Sequence, residues 1–546
     1  MERFFKLLAG IAFMLYGMFP AFAESYIFLQ NNTSLPLNIN TTLQSAHQLS
    51  DDAWWGKDGI VEPWSSMENV LWTNRNKKIK NNTNYIYNIH LNSGTDTATF
   101  KVWVKGYFIG STIKFAFLQP NEPLHWHNNR NFHDITFPLG GKTVTLKFAA
   151  SNKRGAYSDI TLALHERNPY PPANPQDMLN PHTLNVLTYN VYMLPPPLAF
   201  THQKKRAALL PAYLHGYDAI ILNEVFYNAA RKILLKGLAA EYPYQTKVLD
   251  KKGRPVNGGV VIVSRWPIEK TDQYIYTLCA SEDCYAAKGV MYAQINKLGK
   301  KYHLFGTHAQ ADDKPKYIAI RKTQMEEMSR FVLSKNIPPD EPTLIGGDLN
   351  VEKLRNNLNE YCFMLDVLKV TEPTYGNLNF TCHGNLNYYT YTPPVYLDYI
   401  LPLNTALKPL LATNEVRILR TLDDNLWNIF DLSDHFSVYG RFVFEPTVGN
   451  ALLCPPVYLN DAPIYALQTD DTQSFTTKLA NYWQTTTEQS NKNLTLLLAQ
   501  IQQYLNEYQN LLMAQAYGVI DTAAVNKQIK LLQQQKTALL HIQTGR

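Results

Sequence analysis

Apolar and polar side chains alternate in short runs between residues 24 and 167: SYIFLQNN, NYIYNIHLN, TFKVWVKGYFIG, TIKFAFLQ, TVTLKFAA and DITLALHE, set apart by Asn, Gly and Pro. A period of two is that of a strand with one buried face, so this region reads as a β-sandwich. From residue 183 the pattern changes. Wholly apolar runs at 184 to 187, 219 to 222, 303 to 305, 343 to 345, 399 to 401 and 436 to 439 read as buried strands. Helical periods lie between them at 203 to 214, 227 to 240 and 318 to 334, the last with Ile318, Met325, Met328 and Val332 on one face.

The regions between and beyond these patterns mark boundaries. Pro169, Pro171, Pro172, Pro175 and Pro181 make 168 to 182 a semi-rigid linker, because proline cannot donate to a ladder and stiffens the chain. A second linker is expected at 446 to 474, with Pro446, Pro455, Pro456 and Pro463. In the tail, 475 to 546, Leu494, Leu498, Ile501, Leu505, Tyr508 and Leu512 form a heptad stripe that Gly518 breaks. Asp521 can cap a second helix carrying Val525, Ile529, Leu532 and Leu539, which completes a helical hairpin. The hairpin packs on its own chain, on a second copy, or on a protein partner. At the other end, Arg3 and Lys6 precede an apolar run from 7 to 19, and Ala21 and Ala23 suit a leader cleavage site. The expectation is a secretory leader over 1 to 23 and a secreted protein beginning at Glu24.

Composition narrows the picture further. A chain of 546 residues suggests two or three domains, and 45% hydrophobic with 18% charged residues describes globular material. Export puts the five cysteines in an oxidising setting. Cys279 and Cys284 can close a small loop and Cys362 and Cys382 a second one, leaving Cys454; no C-x-x-C spacing points to a cysteine metal site. A net charge of +6 is mild for this length. Lys204, Lys205 and Arg206, and the stretch 251 to 254, are either an attraction for an anionic surface or a solvated helix start and turn. Tryptophans at 54, 55, 64, 72, 103 and 126 are either core or a platform for lipid or sugar.

Six polar motifs end the apolar runs of 183 to 445: TYN with Asn190, NEVF with Glu224, GTHAQ with His308, GGDLN with Asp348 and Asn350, LDY with Asp398, and SDH with Asp434 and His435. Strands that end together bring their tips together. Two histidines and four carboxylates there suit cation-assisted hydrolysis of a phosphate ester. An imidazole takes a proton from water near neutrality, which makes His435 the general base. A hard cation takes oxygen ligands, and Glu224 at the end of an apolar run is the first candidate. Asp348 and Asn350 stand two apart and can point to one side, the carboxylate toward water or metal and the amide toward phosphate.

The motif order, with LNVLTYNVYMLP, ILNEVFYNAAR, GGVVIVSRWPI and GTHAQADD, resembles the endonuclease/exonuclease/phosphatase superfamily, and within it the bacterial neutral sphingomyelinases. The resemblance implies a four-layer α/β sandwich of the deoxyribonuclease-I-like type over 183 to 445. It implies a Mg2+-dependent enzyme, with Mn2+ or Co2+ as substitutes, that hydrolyses sphingomyelin in membrane surfaces to ceramide and phosphocholine without a covalent intermediate. By the same resemblance Glu224 and Asn190 lie at the metal, Asp398 partners His435, and His308 touches the phosphate or the leaving oxygen. Asp434 has a metal or structural role. A second cation site would use the Phe226 carbonyl, the Asn228 side chain and Asp250, the one obvious acid of a shortened loop. Haemolytic relatives carry a membrane hairpin between LDY and SDH; here that segment contains DDNLWNIFD, with Leu426 and Trp427 toward a membrane if it is a loop, or in the core otherwise. Nuclease relatives carry QE where this chain has Asn223 and Glu224, and nucleic acid is not an expected partner. The competing readings are a secreted metal-dependent nuclease or other phosphoesterase on the same fold, and a non-enzymatic lipid-binding factor.

Overall fold

The computed structural model describes residues 24 to 444 except 45–52, 75–76, 78, 109–110, 120–121, 154–157, 167–168, 171–174, 355–358 and 377, together with 530, 533, 536, 537 and 540. The expected leader at 1–23, the linker at 446–474, Cys454 and the tail hairpin, apart from those five positions, lie outside the described residues. Among the described residues no helix is long and apolar enough to cross a membrane.

Alternation in the first part builds two facing sheets. One has the order Trp54–Gly56, Ser66–Asn74, Glu24–Asn32, Ile160–Glu166, Lys142–Ala150, His133–Leu139, and the other Gly59–Val61, Leu37–Leu43, Asn84–Ser93, Asp96–Gly106, Ser111–Leu118. The pleat sends Tyr85, Tyr87, Ile89 and Leu91 inward, where they join Ile27, Leu29, Leu146, Leu162 and Leu164 in one buried cluster. Glu24–Asn32 pairs in parallel with Ile160–Glu166, Ile27 opposite Ile160. The tryptophans divide between roles. Trp54 packs on this core, Trp55 stacks on Trp72, Trp103 pairs with Trp126, and Trp64 is buried at the junction with the second half.

The second half has two further sheets. The larger runs Tyr244–Gln245, Val261–Ser264, Ala219–Asn223, Thr183–Asn190, Ser437–Phe444, Pro409–Arg417, Thr374–Tyr375; the smaller runs Ile268–Ile275, Gly289–Lys297, Lys300–His308, Thr343–Asp348, Asp398–Pro402. The inner strands, such as Ala219–Asn223, Val261–Ser264 and Asp398–Pro402, are covered on both faces and mostly apolar, whereas the edge strand Ile268–Ile275 is polar and exposed. Leu184, Val186, Ala219 and Ile221 meet Met291, Ala293, Leu304 and Leu344 between the sheets. Their neighbours Leu187, Tyr189, Ile220 and Leu222 face outward onto Ala207, Leu234 and Leu238 of the helices Gln203–Leu209 and Asn228–Leu238. On the far side Met325, Met328 and Val332 of the helix Pro315–Leu333, with Tyr361 and Met364 of Asn359–Leu368, cover Val290, Phe305 and Ile345. Helix, sheet, sheet and helix make four layers.

The segment between LDY and SDH departs from its expected membrane role. Leu426 is fully buried and Trp427 is 8% exposed. Trp427 and Phe430 pack on Ala149 and Ala163 of the first half, and the Trp427 indole donates to the Ala150 carbonyl at 3.0 Å. The apolar side chains are covered by the sandwich, which gives them a dry surface inside the chain. Arg420 completes this junction: its guanidinium reaches Asp431 Oδ1 at 2.8 Å, Asn32 Oδ1 at 2.9 Å and the Trp64 carbonyl at 2.7 Å. The cysteine expectation also changes. Cys279 and Cys284 form a disulfide, whereas Cys362 is free and exposed on its helix and Cys382 is free and buried.

Candidate active site

Strand register gathers the motifs. Asn190 ends Thr183–Asn190 beside Asn223 of the parallel neighbour, which brings Glu224 next to it. His308 and Asp348 end two parallel strands opposite each other, and Asp398 opens the antiparallel strand opposite Asp348. Ser433 joins the last motif to the first by donating from Oγ to the Asn190 carbonyl at 2.6 Å. Asn223 ties the two sheets beneath the cleft through Nδ2 to the Thr307 carbonyl at 2.7 Å.

The side chains meet accordingly. Asn190 Nδ2 donates to Glu224 Oε1 at 3.0 Å and to Asp348 Oδ2 at 3.1 Å. His435 Nε2 and His308 Nε2 flank Asp348 Oδ2 at 3.8 and 3.6 Å. His435 Nδ1 lies 2.8 Å from Asp398 Oδ2. A carboxylate only accepts, so Nδ1 carries a proton toward Asp398 and Nε2 is the nitrogen turned toward Asp348. Asn350 donates its backbone N–H to Asp348 Oδ1 at 3.0 Å, while its amide turns back to the Ala309 carbonyl at 3.3 Å. Asp434 is held by Ser433 Oγ at 3.3 Å.

The carboxylates are crowded in a dry place. Burial, then the Asp434 charge, pushes the Glu224 carboxyl up to about 7, against the pull of Asn190, His435 and Lys288. Asp348 is pushed up to about 6 by burial and then by Asp398, with His435 and Asn190 opposing. Burial opposes the charged form of His435, but Cys382, Asp398 and Asp348 outweigh it and raise the imidazole well above its ordinary value. The Cys382 thiol is itself pushed up to about 12 by burial, so the two aspartates supply that field. His308 is lowered well below its usual value by burial and then by Lys288.

These features fit a cation. Glu224, His308 and Asp348 offer ligand atoms within 4.8 Å of one another, as do Asp348, Asp398 and His435. Glu224 Oε2 is buried without a hydrogen-bond partner. A buried unpaired carboxylate oxygen in an acidic cluster is costly unless a positive charge faces it.

Two functional groups escaped sequence reasoning. Lys288, 6% exposed, places Nζ 3.1 Å from His308 Nε2, 2.9 Å from the Ala309 carbonyl and 2.8 Å from Asp283 Oδ1. Its signal was a lone polar residue just before the apolar run GVMYAQI. Arg206, expected in a solvated or surface-seeking cluster, is fully buried and holds the Val191 and Leu432 carbonyls at 2.7 and 2.8 Å. The loops bearing Asn190 and Asp434 are thereby joined.

At the second cation site expected at Phe226, Asn228 and Asp250, the oxygens already have protein partners. Arg231 already donates to the Phe226 carbonyl at 3.1 Å and to Asn228 Oδ1 at 3.1 Å, and Asn257 Nδ2 donates to the same carbonyl at 2.9 Å. A guanidinium among the ligand oxygens repels a second ion.

The endonuclease/exonuclease/phosphatase family profile matches residues 187–435. Sphingomyelinase C 2 of Leptospira interrogans is 37% identical over 297 residues, 48% of this chain and 47% of that protein. A sphingomyelinase C of Bacillus cereus is 37% identical over 263 residues, 43% of this chain and 79% of that protein. Among solved structures, a mutant beta toxin of Staphylococcus aureus with bound magnesium ions is 34% identical, covers 47% of this chain and 98% of that one, and superimposes with a TM-score of 0.44. The chain spans about half the length of the Leptospira relatives it matches.

Proposed function

The chain belongs to the endonuclease/exonuclease/phosphatase family, in its bacterial sphingomyelinase branch, and from that premise we propose that it hydrolyses sphingomyelin to ceramide and phosphocholine. The observation that carries the reading is the pair of histidines flanking Asp348, at 3.8 Å for His435 and 3.6 Å for His308, beside Glu224 with its unpartnered Oε2.

Glu224, with Asn190 and Asp348 beside it, is the set that would hold a divalent cation, magnesium by preference, whose charge offsets that of the phosphate oxygens. His435 acts from one side. Its Nδ1–H is committed to Asp398 at 2.8 Å, so Nε2 takes the proton as water forms its bond to phosphorus. Asp398 keeps the ring in that tautomer and stabilises the imidazolium. A cation held beside Glu224 would also offset part of the Asp348 field that raises His435. On the other side the bond from phosphorus to the ceramide oxygen breaks next to His308 and Lys288, whose positive charge draws the departing negative charge, and the leaving alkoxide takes a proton from solvent to become the ceramide hydroxyl. Asn190 Nδ2 and the Asn350 backbone N–H hold Glu224 and Asp348 in place without adding negative charge, and Asp434 completes the acidic rim near Glu224. Water reacts directly and no enzyme-bound ester forms.

Export is part of the proposal. The Cys279–Cys284 disulfide supports it, since such bonds persist in oxidising compartments. The substrate class is tested by offering sphingomyelin vesicles, phosphatidylcholine vesicles and duplex DNA to the mature protein in parallel. Phosphocholine release with sphingomyelin preferred is the expected result; cleavage of DNA with intact lipid would move the site to the nuclease reading.

A further inference from the structure

We propose that Arg231 is a built-in cation which occupies the oxygen set at the edge of the catalytic half and holds the Glu224 turn in place, so that no second divalent ion binds at that edge. The proposal rests on the reading of Glu224 as the cation ligand.

Glu224 has a backbone φ of 58°, in the left-handed region that a glutamate rarely adopts. A residue stays there only where its surroundings overdetermine it. Several contacts do so. The Glu224 carbonyl accepts from Met193 N at 3.1 Å, and Val225 N donates to the Gly259 carbonyl at 3.0 Å. Gly259, at φ 69°, lies so close under Phe226 that a Cβ there would stand 2.6 Å from the ring. The next two carbonyls converge on Arg231, one turn into the helix Asn228–Leu238: Nη1 reaches Val225 O at 2.8 Å and Phe226 O at 3.1 Å, while Nη2 reaches Asn228 Oδ1 at 3.1 Å.

A guanidinium is planar and permanently charged, so its fork fixes two carbonyls and a side-chain amide in one geometry. The Phe226 carbonyl has two lone pairs and both are used, by Arg231 and by Asn257 Nδ2 at 2.9 Å. Asp250 is exposed, and its Oδ1 accepts from Lys251 N at 2.8 Å. A divalent ion seeking six or so oxygens finds here filled acceptors and a positive charge. The two carbonyls directly after Glu224 are therefore pinned by the chain itself. Arg231 is a positioning residue: it acts on the cation through the conformation of Glu224.

The test is Mn2+ binding to the full chain, counted by the electron paramagnetic resonance of free Mn2+, with thermal unfolding followed alongside. The wild type is expected to bind one ion, and Glu224→Gln to lose it. Arg231→Met should still unfold cooperatively yet bind Mn2+ about tenfold more weakly. Arg231→Lys, with the charge but not the fork, should fall between. Unchanged Mn2+ affinity in Arg231→Met, with only a lower unfolding temperature, would make Arg231 merely structural and overturn the proposal alone. Two ions in the wild type, one surviving Glu224→Gln, would overturn it as well. No ion in the wild type would overturn the reading of Glu224 and this proposal with it.

Discussion

His435 has one nitrogen committed to Asp398 and one turned toward Asp348, and the account depends on which is which. Asp398 accepts from Nδ1 at 2.8 Å, so an amide at that position removes the reason for this tautomer. Asp398→Asn should lower kcat by on the order of 10^3 to 10^4-fold with little change in KM, measured by steady-state release of phosphocholine. A comparable rise in KM with kcat retained would assign Asp398 to substrate binding instead. The motif residues were legible because each is a polar side chain ending a buried apolar run, a placement a folded chain tolerates only with a reason. Lys288 was less legible because its partners, Asp283 in the disulfide loop and His308 a strand away, meet only in three dimensions. The same holds for Arg206, which reads as a solvated or surface-seeking charge until the carbonyls it binds are seen, and the carbonyls that Arg231 binds are likewise visible only in three dimensions.

Elements follow from period, and their tips follow from glycine. Gly347 lies at φ 133°, and a Cβ there would stand 2.0 Å from the Thr307 carbonyl on the neighbouring strand. No side chain fits, because the backbones of the His308 and Asp348 strands approach at that point. Gly347→Ala should destabilise by at least about 1–3 kcal/mol and depress activity out of proportion, since the residue that moves is Asp348; urea unfolding beside initial rates measures both. A second element-level feature is the buried Lys297, whose Nζ holds Asp218 Oδ2 at 2.9 Å, the Thr183 carbonyl at 2.6 Å and the Asp177 carbonyl at 2.8 Å. Burial pulls Lys297 down and pushes Asp218 up, so the pair holds its charges against desolvation. Lys297→Met leaves Asp218 buried and alone, and the expected loss is about 3–5 kcal/mol by chemical denaturation. Strand positions were readable from apolar runs and the long helix from its stripe. The helix expected over 203 to 214 ends earlier, at Leu209, and continues as a tighter turn over Leu210–Ala212, where Pro211 lacks the N–H an α-helix needs. The strand Leu37–Leu43 and the helix Asn359–Leu368 were not anticipated, the first because its apolar residues are few and its second half, Thr41 to Leu43, is only partly buried.

At the scale of the whole molecule, the sandwich is bound to the segment that leads into the SDH motif. Arg420 joins Asn32 and Trp64 of the first half to Asp431, two residues before Ser433. Arg420→Met should lower stability by about 3–5 kcal/mol in urea unfolding, far more than the loss of a surface pair, and weaken the order of the catalytic loop; a change under about 1 kcal/mol would show the junction to be incidental. This contact could not be read from sequence. DDNLWNIFD has the composition of a membrane loop and of a packing segment alike, and only the presence of Ala149 and Ala163 opposite Trp427 and Phe430 separates the two. The central claim concerns the catalytic half: a cation-dependent attack of water on a lipid phosphodiester. Its most direct test is hydrolysis of sphingomyelin vesicles in 18O-labelled water, first with Mg2+ and then with chelator, beside His435→Ala. The account predicts phosphocholine carrying the label, unlabelled ceramide, and loss of both products with chelator or in the variant. Intact vesicles with Mg2+ present, or release that continues undiminished after chelation, would contradict it.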